Sequence, residues 1–190
     1  MTKIKNKMDA KKREIRTIDC QLAIREAAEG QEGESRTITG RAIVFNAESE
    51  MLDDWGERFR EVILPEACTA EWLNTQDVKM NMLHERELTI ARCNKGVGSM
   101  RMAVDDQGVT FEFEAPNCDL GDRCLEMVRR GDYSGCSFEF MPKDYEVERT
   151  KGADGKVGMR SETYLLFEDV DLTGKKSVQL KAKANWSSAW

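Results

Sequence analysis

The chain has little of what a metal site requires. It has a single histidine, His84, and its six cysteines contain no Cys-x-x-Cys pair. A Cys2His2 zinc site needs two ligands of each kind at regular spacing, so no such site is expected. We predict that the cysteines are reduced thiols, most of them small residues of the core.

Long apolar runs and clustered positive charge are missing as well. No apolar run approaches the ~20 residues that a membrane-spanning helix needs. The basic first seven residues are not followed by the apolar segment of a secretory signal, so we expect a protein that stays inside the cell and has no membrane partner. The net charge of -6 argues against nucleic-acid binding, because phosphate contacts need a clustered basic surface.

The length favours one domain. With 190 residues the chain can bury a sizeable core but is too short for two ordinary domains. The Lys-rich residues 1–12 are predicted to be a flexible basic arm, residues 13–173 the domain, and residues 174–190 a C-terminal tail. Many short apolar alternations without a βαβ order predict a mainly β (α+β) protein with an antiparallel sheet or barrel.

Local patterns place the elements of this domain. Period-two alternation between turn residues predicts strands over residues 13–24, 37–45, 97–104, 109–115, 137–140, 145–150 and 163–172. A glycine in the second of these, Gly40, predicts a bulge or a close packing contact. Pro65 predicts a helix over residues 66–73, and a second helix is expected from a cap at Asn117 or Asp119 to Gly131.

Candidate nucleophiles cluster directly after the second predicted helix. They are Ser134, Cys136 and Ser137. A serine hydroxyl becomes a nucleophile only when a neighbouring base takes its proton, and the only imidazole is His84. Alternating apolar residues over 78–82 place His84 at the end of a strand, where a side chain can be exposed yet rigidly held.

A histidine base needs a third group that orients it, and an acidic segment offers candidates. Glu168, Asp169 and Asp171 interrupt an otherwise apolar strand. A buried acid needs a partner, and His84 is one option. The other option is that these acids face solvent on an edge strand.

Four blocks of the sequence, taken in order, resemble the tailed-phage prohead (capsid maturation) serine proteases of the HK97 type. They are residues 40–46, 59–67, 83–85 and 125–138. The similarity extends from about residue 13 to about residue 172, nearly the whole chain. Its most specific part is the helix followed by Gly-Asp-Tyr-Ser-Gly-Cys-Ser-Phe.

The resemblance implies a serine endopeptidase with the herpesvirus-assemblin type of fold, a β-barrel ringed by short helices. Such an enzyme acts in the bacterial host cytoplasm, inside the assembling procapsid. Its substrate is scaffold protein or the scaffolding segment of the major capsid protein, and often the protease itself. The mechanism requires no metal or cofactor. The resemblance leaves open whether the chain forms a homo-oligomer.

The resemblance also assigns roles to residues. The histidine of the family corresponds to His84 and its serine, followed by phenylalanine, to Ser137, with Ser134 as the alternate. The acidic member corresponds best to Asp169. Its alternates are Glu168 and Asp171.

One departure from the family pattern bears directly on the chemistry. The family commonly has glycine where this chain has Glu139. Strand alternation places Glu139 on the same face as Ser137, where its charge would repel a developing oxyanion unless the side chain turns away. A catalytically inactive capsid-assembly β-barrel protein is therefore the alternative function.

A cysteine hydrolase is a second alternative, since thiolates are good nucleophiles. It would use Cys136 with His84. Strand alternation points Cys136 and Ser137 to opposite faces, so only one of them can meet His84.

Overall fold

The computed structural model describes backbone and side chains of residues 22–27, 33–49 and 62–140, and the backbone of eight further strands. In chain order the strands are β1 (Ile4–Asn6), β2 (Glu14–Ile18), β3 (Ala23–Ile24), β4 (Thr37–Val44), β5 (Leu52–Asp54), β6 (Glu57–Phe59), β7 (Asp77–Met82), β8 (Glu85–Asn94), β9 (Val97–Gly98), β10 (Met100–Asp105), β11 (Gly108–Glu114), β12 (Gly135–Phe140), β13 (Tyr145–Lys151), β14 (Val157–Thr163), β15 (Phe167–Thr173) and β16 (Trp186–Ser188). The helices are α1 (Ala70–Leu73) and α2 (Asp119–Arg129), with a 3-10 turn at Pro65–Ala67.

These strands form three open sheets. Their orders are β1-β13-β14-β16-β6-β5, β10-β11-β4-β3 and β2-β12-β15-β7-β8-β9. Neighbouring strands are antiparallel except β15 and β7, which run parallel. The mainly antiparallel α+β class is confirmed.

The closed barrel expected from the resemblance is not what the described strands form. Closure requires a hydrogen-bonded ladder between the end strands of a sheet, and each of the three orders has two ends. The second and third sheets meet by packing instead. At one such contact, the thiol of Cys136 on β12 donates to the carbonyl of Arg41 on β4 at 3.3 Å.

The buried apolar side chains that the structure describes form one core cluster, to which these two sheets and α2 contribute. Its largest fully buried side chains are Phe113, Phe138, Phe140, Ile38, Ile43, Met80, Met82 and Met100. The close contact predicted at Gly40 is confirmed: a Cβ on that residue would lie 2.6 Å from Cζ of Phe111. Only glycine lets the Phe111 ring lie this close to β4.

The helix predicted after Pro65 is divided in two. Pro65 occupies the first turn of the 3-10 segment as expected, but Thr69 then interrupts it. The hydroxyl of Thr69 accepts a hydrogen bond from the backbone N–H of Trp72 at 3.2 Å, which starts α1 as a separate helix.

The second predicted helix ends as expected and starts differently. Gly131 has a φ of +76°, the left-handed conformation that terminates many helices. The cap predicted at Asn117 or Asp119 is wrong, since α2 follows Cys118 without a side-chain cap bond. Asp119 instead lies in the first turn, where an anion is stabilised by the helix dipole.

The predicted hairpin over residues 97–115 is confirmed from Met100 onward, as β10 and β11. Its first strand is divided, because Val97–Gly98 forms β9, which pairs with β8 in the third sheet. The single long strand predicted over residues 163–172 is wrong, because β14 ends at Thr163 in the first sheet and β15 starts at Phe167 in the third. An apolar run carries no signal for a change of sheet. Strands β1 and β16 lie within the predicted arm and tail, and the division into arm, domain and tail stays a prediction.

Among the residues that the structure describes, no helix is both long and apolar enough to cross a bilayer.

Five described cysteines are free thiols, and four of them are buried. Burial raises the pKa of Cys68 and of Cys124 to about 12, because a thiolate would lose its hydration in the core. Among residues 22–27, 33–49 and 62–140 no three His, Cys, Asp or Glu side chains are grouped so that they could hold a metal. The four buried thiols pack in the apolar core, whereas Cys118 lies at the surface.

We predict that iodoacetamide at pH 8 alkylates Cys118 first among these five, because it alone is exposed. Cys68 and Cys124 should react only after denaturation, as read from peptide masses. Since both are protonated in the folded state and an unfolded thiol ionises near pH 9, they stabilise the fold fully below about pH 9. That stabilisation should be lost as the pH rises toward 12. Rapid alkylation of native Cys124 would contradict the burial, and Cys118→Ser is the matched control.

Candidate active site

The third sheet has one apolar face and one polar face. Alternate residues of β7 and β12 pack into the core, namely Val78, Met80, Met82, Cys136, Phe138 and Phe140. The residues between them lie on the opposite face, here called the polar face: Lys79, Asn81, Ser137 and Glu139. This alternation delivers Ser137 to the polar face and Cys136 to the core, as the strand pattern predicted.

A row of polar residues crosses the sheet at Ser137. The pairing register sets Ser137 opposite Asp171 of β15, and Asp171 beside Asn81 of β7. Asn81 is in turn paired with Thr89 of β8, and the Thr89 hydroxyl donates a hydrogen bond to Oδ1 of Asn81 at 2.7 Å. Ser137 and Asn81 are 0% and 1% exposed, and buried polar groups persist only with partners.

His84 lies in a tight turn rather than in the strand. β7 ends at Met82 and β8 starts at Glu85, so Leu83 and His84 form the two-residue connection. Their φ angles are +58° and +61°, the left-handed values of a type I′ hairpin turn. Neither leucine nor histidine favours a left-handed backbone, and the pairing of β7 with β8 holds both residues in it. The side chain of His84 is exposed.

An ion pair joins the hairpin that carries His84 to the strand that carries Ser137. Nη2 of Arg86 lies 3.5 Å from Oε1 of Glu139. Arg86 belongs to β8 and Glu139 to β12, with β7 and β15 between them. The arginine therefore extends across two strands over the polar face, and the charge of Glu139, expected to be disruptive, has a cationic partner.

The remaining candidates lie at defined positions around this face. Ser134 is half-buried and directly precedes β12. Glu168 belongs to β15, where Asp169 is set opposite Glu139 in the pairing register. The structure thus brings Ser137 and Asp171 into register, and places the His84 turn on the next strand, β7, about 10 Å from β12 along the sheet.

Sequence reasoning missed two residues of this arrangement, Arg86 and Asn81. The charge of Glu139 implied a cationic partner, but nothing in the local sequence distinguished Arg86 from the other arginines. The position of Asn81 between Met80 and Met82 indicated that its side chain lies on the face opposite to theirs. Its burial could not be predicted, because alternation alone does not say that both faces of a strand are covered.

Comparison with known proteins places the chain in a family. The model of the caudovirus prohead serine proteases matches residues 21–172, more than half of the chain, including the His84 turn, β12 and nearly all of β15. No curated protein and no solved structure matches the chain.

The family match identifies the class of enzyme. Prohead serine proteases are endopeptidases of phage capsid maturation, with capsid or scaffold proteins as substrates inside the procapsid. The resemblance noted in the sequence and the family match agree, and the chain belongs to the prohead serine proteases of tailed phages.

Proposed function

We propose that this protease cleaves scaffold protein, or the scaffolding segment of the major capsid protein, and also itself, in procapsids assembling in the bacterial cytoplasm. Ser137 is the nucleophile and His84 the general base. An aspartate of β15 orients the imidazole. A relation of the fold to the herpesvirus assemblins is part of the same proposal.

The contact between Arg86 and Glu139 is the observation that carries this assignment. Arg86 follows His84 by two residues, and Glu139 follows Ser137 by two residues in its strand. Their separation of 3.5 Å means that side chains of the His84 hairpin reach the strand of the nucleophile. No other described imidazole competes for the role of base, since the chain has one histidine.

The strand register supports Asp171 as the third member more than Asp169. Asp171 lies between Asn81 and Ser137, whereas Asp169 lies two residues farther from the His84 end of β7. Two residues of a strand correspond to about 7 Å. The orienting carboxylate must reach the imidazole, so the nearer position is the better candidate.

In the proposed reaction Oγ of Ser137 attacks a peptide carbonyl carbon while His84 takes the hydroxyl proton. Backbone N–H groups stabilise the oxyanion. His84 then donates the proton to the leaving amine, and a water molecule hydrolyses the acyl-enzyme by the same route. Ser137 is fully buried in the state described, so substrate entry requires a rearrangement at the polar face.

That burial is also the observation that favours the second candidate, an inactive capsid-assembly protein. A cysteine hydrolase has weaker support, because Cys136 packs in the core and donates to the Arg41 carbonyl.

A fluorophosphonate probe distinguishes these functions. We expect one covalent label per native chain, located on Ser137 by peptide mapping, and none after heat denaturation. Ser134→Ala is the matched control and should label normally. A label on Ser134 would reassign the nucleophile, and a folded chain that takes no label would favour the inactive protein.

A further inference from the structure

We infer that Leu83 is a specificity-determining residue, which contacts an apolar side chain of the polypeptide substrate next to the bond that is cleaved. The inference rests on the proposed function, since it takes His84 as the general base. It adds to that function the class of side chain that the enzyme selects, which the roles of Ser137 and His84 leave undefined.

Leu83 presents an apolar side chain at the surface of the His84 turn. It is 43% exposed, and among the residues that the structure describes only one other large apolar side chain, Val97, is exposed. The residues that follow the turn, 85–87, are all charged and exposed. An exposed leucine by itself needs no explanation, because much of any protein surface is apolar. The backbone conformation is what distinguishes this one.

Leu83 has a backbone conformation that leucine disfavours. Its φ of +58° lies in the left-handed region, where the Cβ atom crowds the following carbonyl oxygen. Two-residue turns of this type normally contain glycine or asparagine, which tolerate the conformation. Residues held in such conformations cluster at active sites, where the function uses what stability alone would not retain.

The other end of β8 shows the same kind of turn away from the candidate site. Lys95 and Gly96 connect β8 to β9, and their φ angles are +53° and +79°. Glycine occupies the second position there, as turn preferences predict. The hairpin geometry therefore does not require leucine followed by histidine. What their side chains do explains their presence in the turn.

The position of Leu83 fits a contact beside the cleaved bond. Its Cα lies about 3.8 Å from that of His84, and the base must come within hydrogen-bond reach of the serine that attacks this bond. Successive residues of an extended substrate are about 3.5 Å apart, so a residue one or two positions from the bond passes the turn. Contact between Leu83 and an apolar substrate side chain removes both from water, which favours that substrate over a polar one.

Two fluorophosphonate probes test this contact, one with an alkyl chain and one with a polyethylene glycol chain of equal length. The ratio of their second-order rate constants for labelling the 190-residue chain measures the apolar preference. We expect the native chain to react about tenfold faster with the alkyl probe. Leu83→Asn should lose this preference, while its rate with the glycol probe stays within about twofold, because asparagine suits the left-handed turn. Leu83→Met keeps an apolar side chain and should retain most of the preference.

Val97→Asn is the matched control. It removes the other exposed apolar side chain, which lies at the opposite end of β8 from His84, and should keep the native ratio. Equal rates with both probes in the native chain, an unchanged ratio in Leu83→Asn, or an equal loss in Val97→Asn would overturn the inference.

Melting temperatures and the two separate rates distinguish specificity from a structural role. Equal slowing of both probes by Leu83→Asn, or loss of its cooperative melting transition, would show that Leu83 only supports the turn. A native chain that takes neither probe, or Ser137→Ala that labels at the native rate, overturns the proposed function and the inference with it. Loss of the label in Ser137→Ala beside an unchanged ratio in Leu83→Asn would reject the role of Leu83 alone.

Discussion

Replacing Ser137 by alanine is expected to abolish cleavage of a co-expressed major capsid or scaffold protein, with a loss of about 10⁴-fold or more in rate. Without the hydroxyl there is no acyl-enzyme, and only the residual effects of binding and oxyanion stabilisation remain. The fold should persist, because the substitution removes one oxygen from a strand whose core-facing neighbours, Cys136 and Phe138, are unchanged. Gel analysis of the substrate band measures the loss.

His84→Gln should have an effect of similar size, since residues that act as one unit lose activity together. Ser134→Ala is the matched control for both variants. It removes a hydroxyl three residues away, directly before β12, and should leave cleavage within about twofold. Undiminished processing by Ser137→Ala would rule out the assignment of the nucleophile.

The same cleavage assay distinguishes the two candidates for the third member of the triad. Asp171→Asn should lower the cleavage rate by about 10³-fold or more, since an amide cannot stabilise the imidazolium that forms on His84. Asp169→Asn should lower it much less. The reverse order would return the role to Asp169, the residue that the family resemblance alone indicates.

The candidate site residues were readable from the sequence where the signals are local. A helix stop at Gly131, a strand of alternating character after it and a single imidazole are all readable within short windows. These signals located Ser137 on one face of β12 and Cys136 on the other. The turn at His84 was less readable, because neither Leu83 nor His84 is a residue typical of a type I′ turn.

What the sequence could not predict depends on pairing between distant segments. Arg86 and Glu139 are 53 residues apart, and they meet only because β15 enters the sheet between β12 and β7. The insertion of β15 parallel to β7 has no local signature, and it also explains why the apolar run over residues 163–172 was misinterpreted as one strand. Register between strands, rather than residue type, distinguishes Asp171 from Asp169.

The packing beneath Ser137 leads to the second large prediction. Phe138 is completely buried, and its ring stacks on that of Phe140 with centroids 5.3 Å apart. Phe138→Ala removes a full aromatic side chain and leaves a cavity in the core, so we expect the free energy of unfolding to fall by about 4 kcal/mol. That is a large part of the total stability of an ordinary domain. Urea denaturation followed by circular dichroism measures it.

Two further variants define what this loss means. Val97→Ala removes apolar atoms from a side chain that is 75% exposed and should cost less than about 0.5 kcal/mol. Phe138→Leu keeps most of the volume, should cost about 1.5 kcal/mol, and should still allow labelling of Ser137. A loss below 1 kcal/mol in Phe138→Ala would place the ring outside the core. The alternation that puts Ser137 on the polar face would then lose its support, because the buried neighbour is what holds the serine on that side of the sheet.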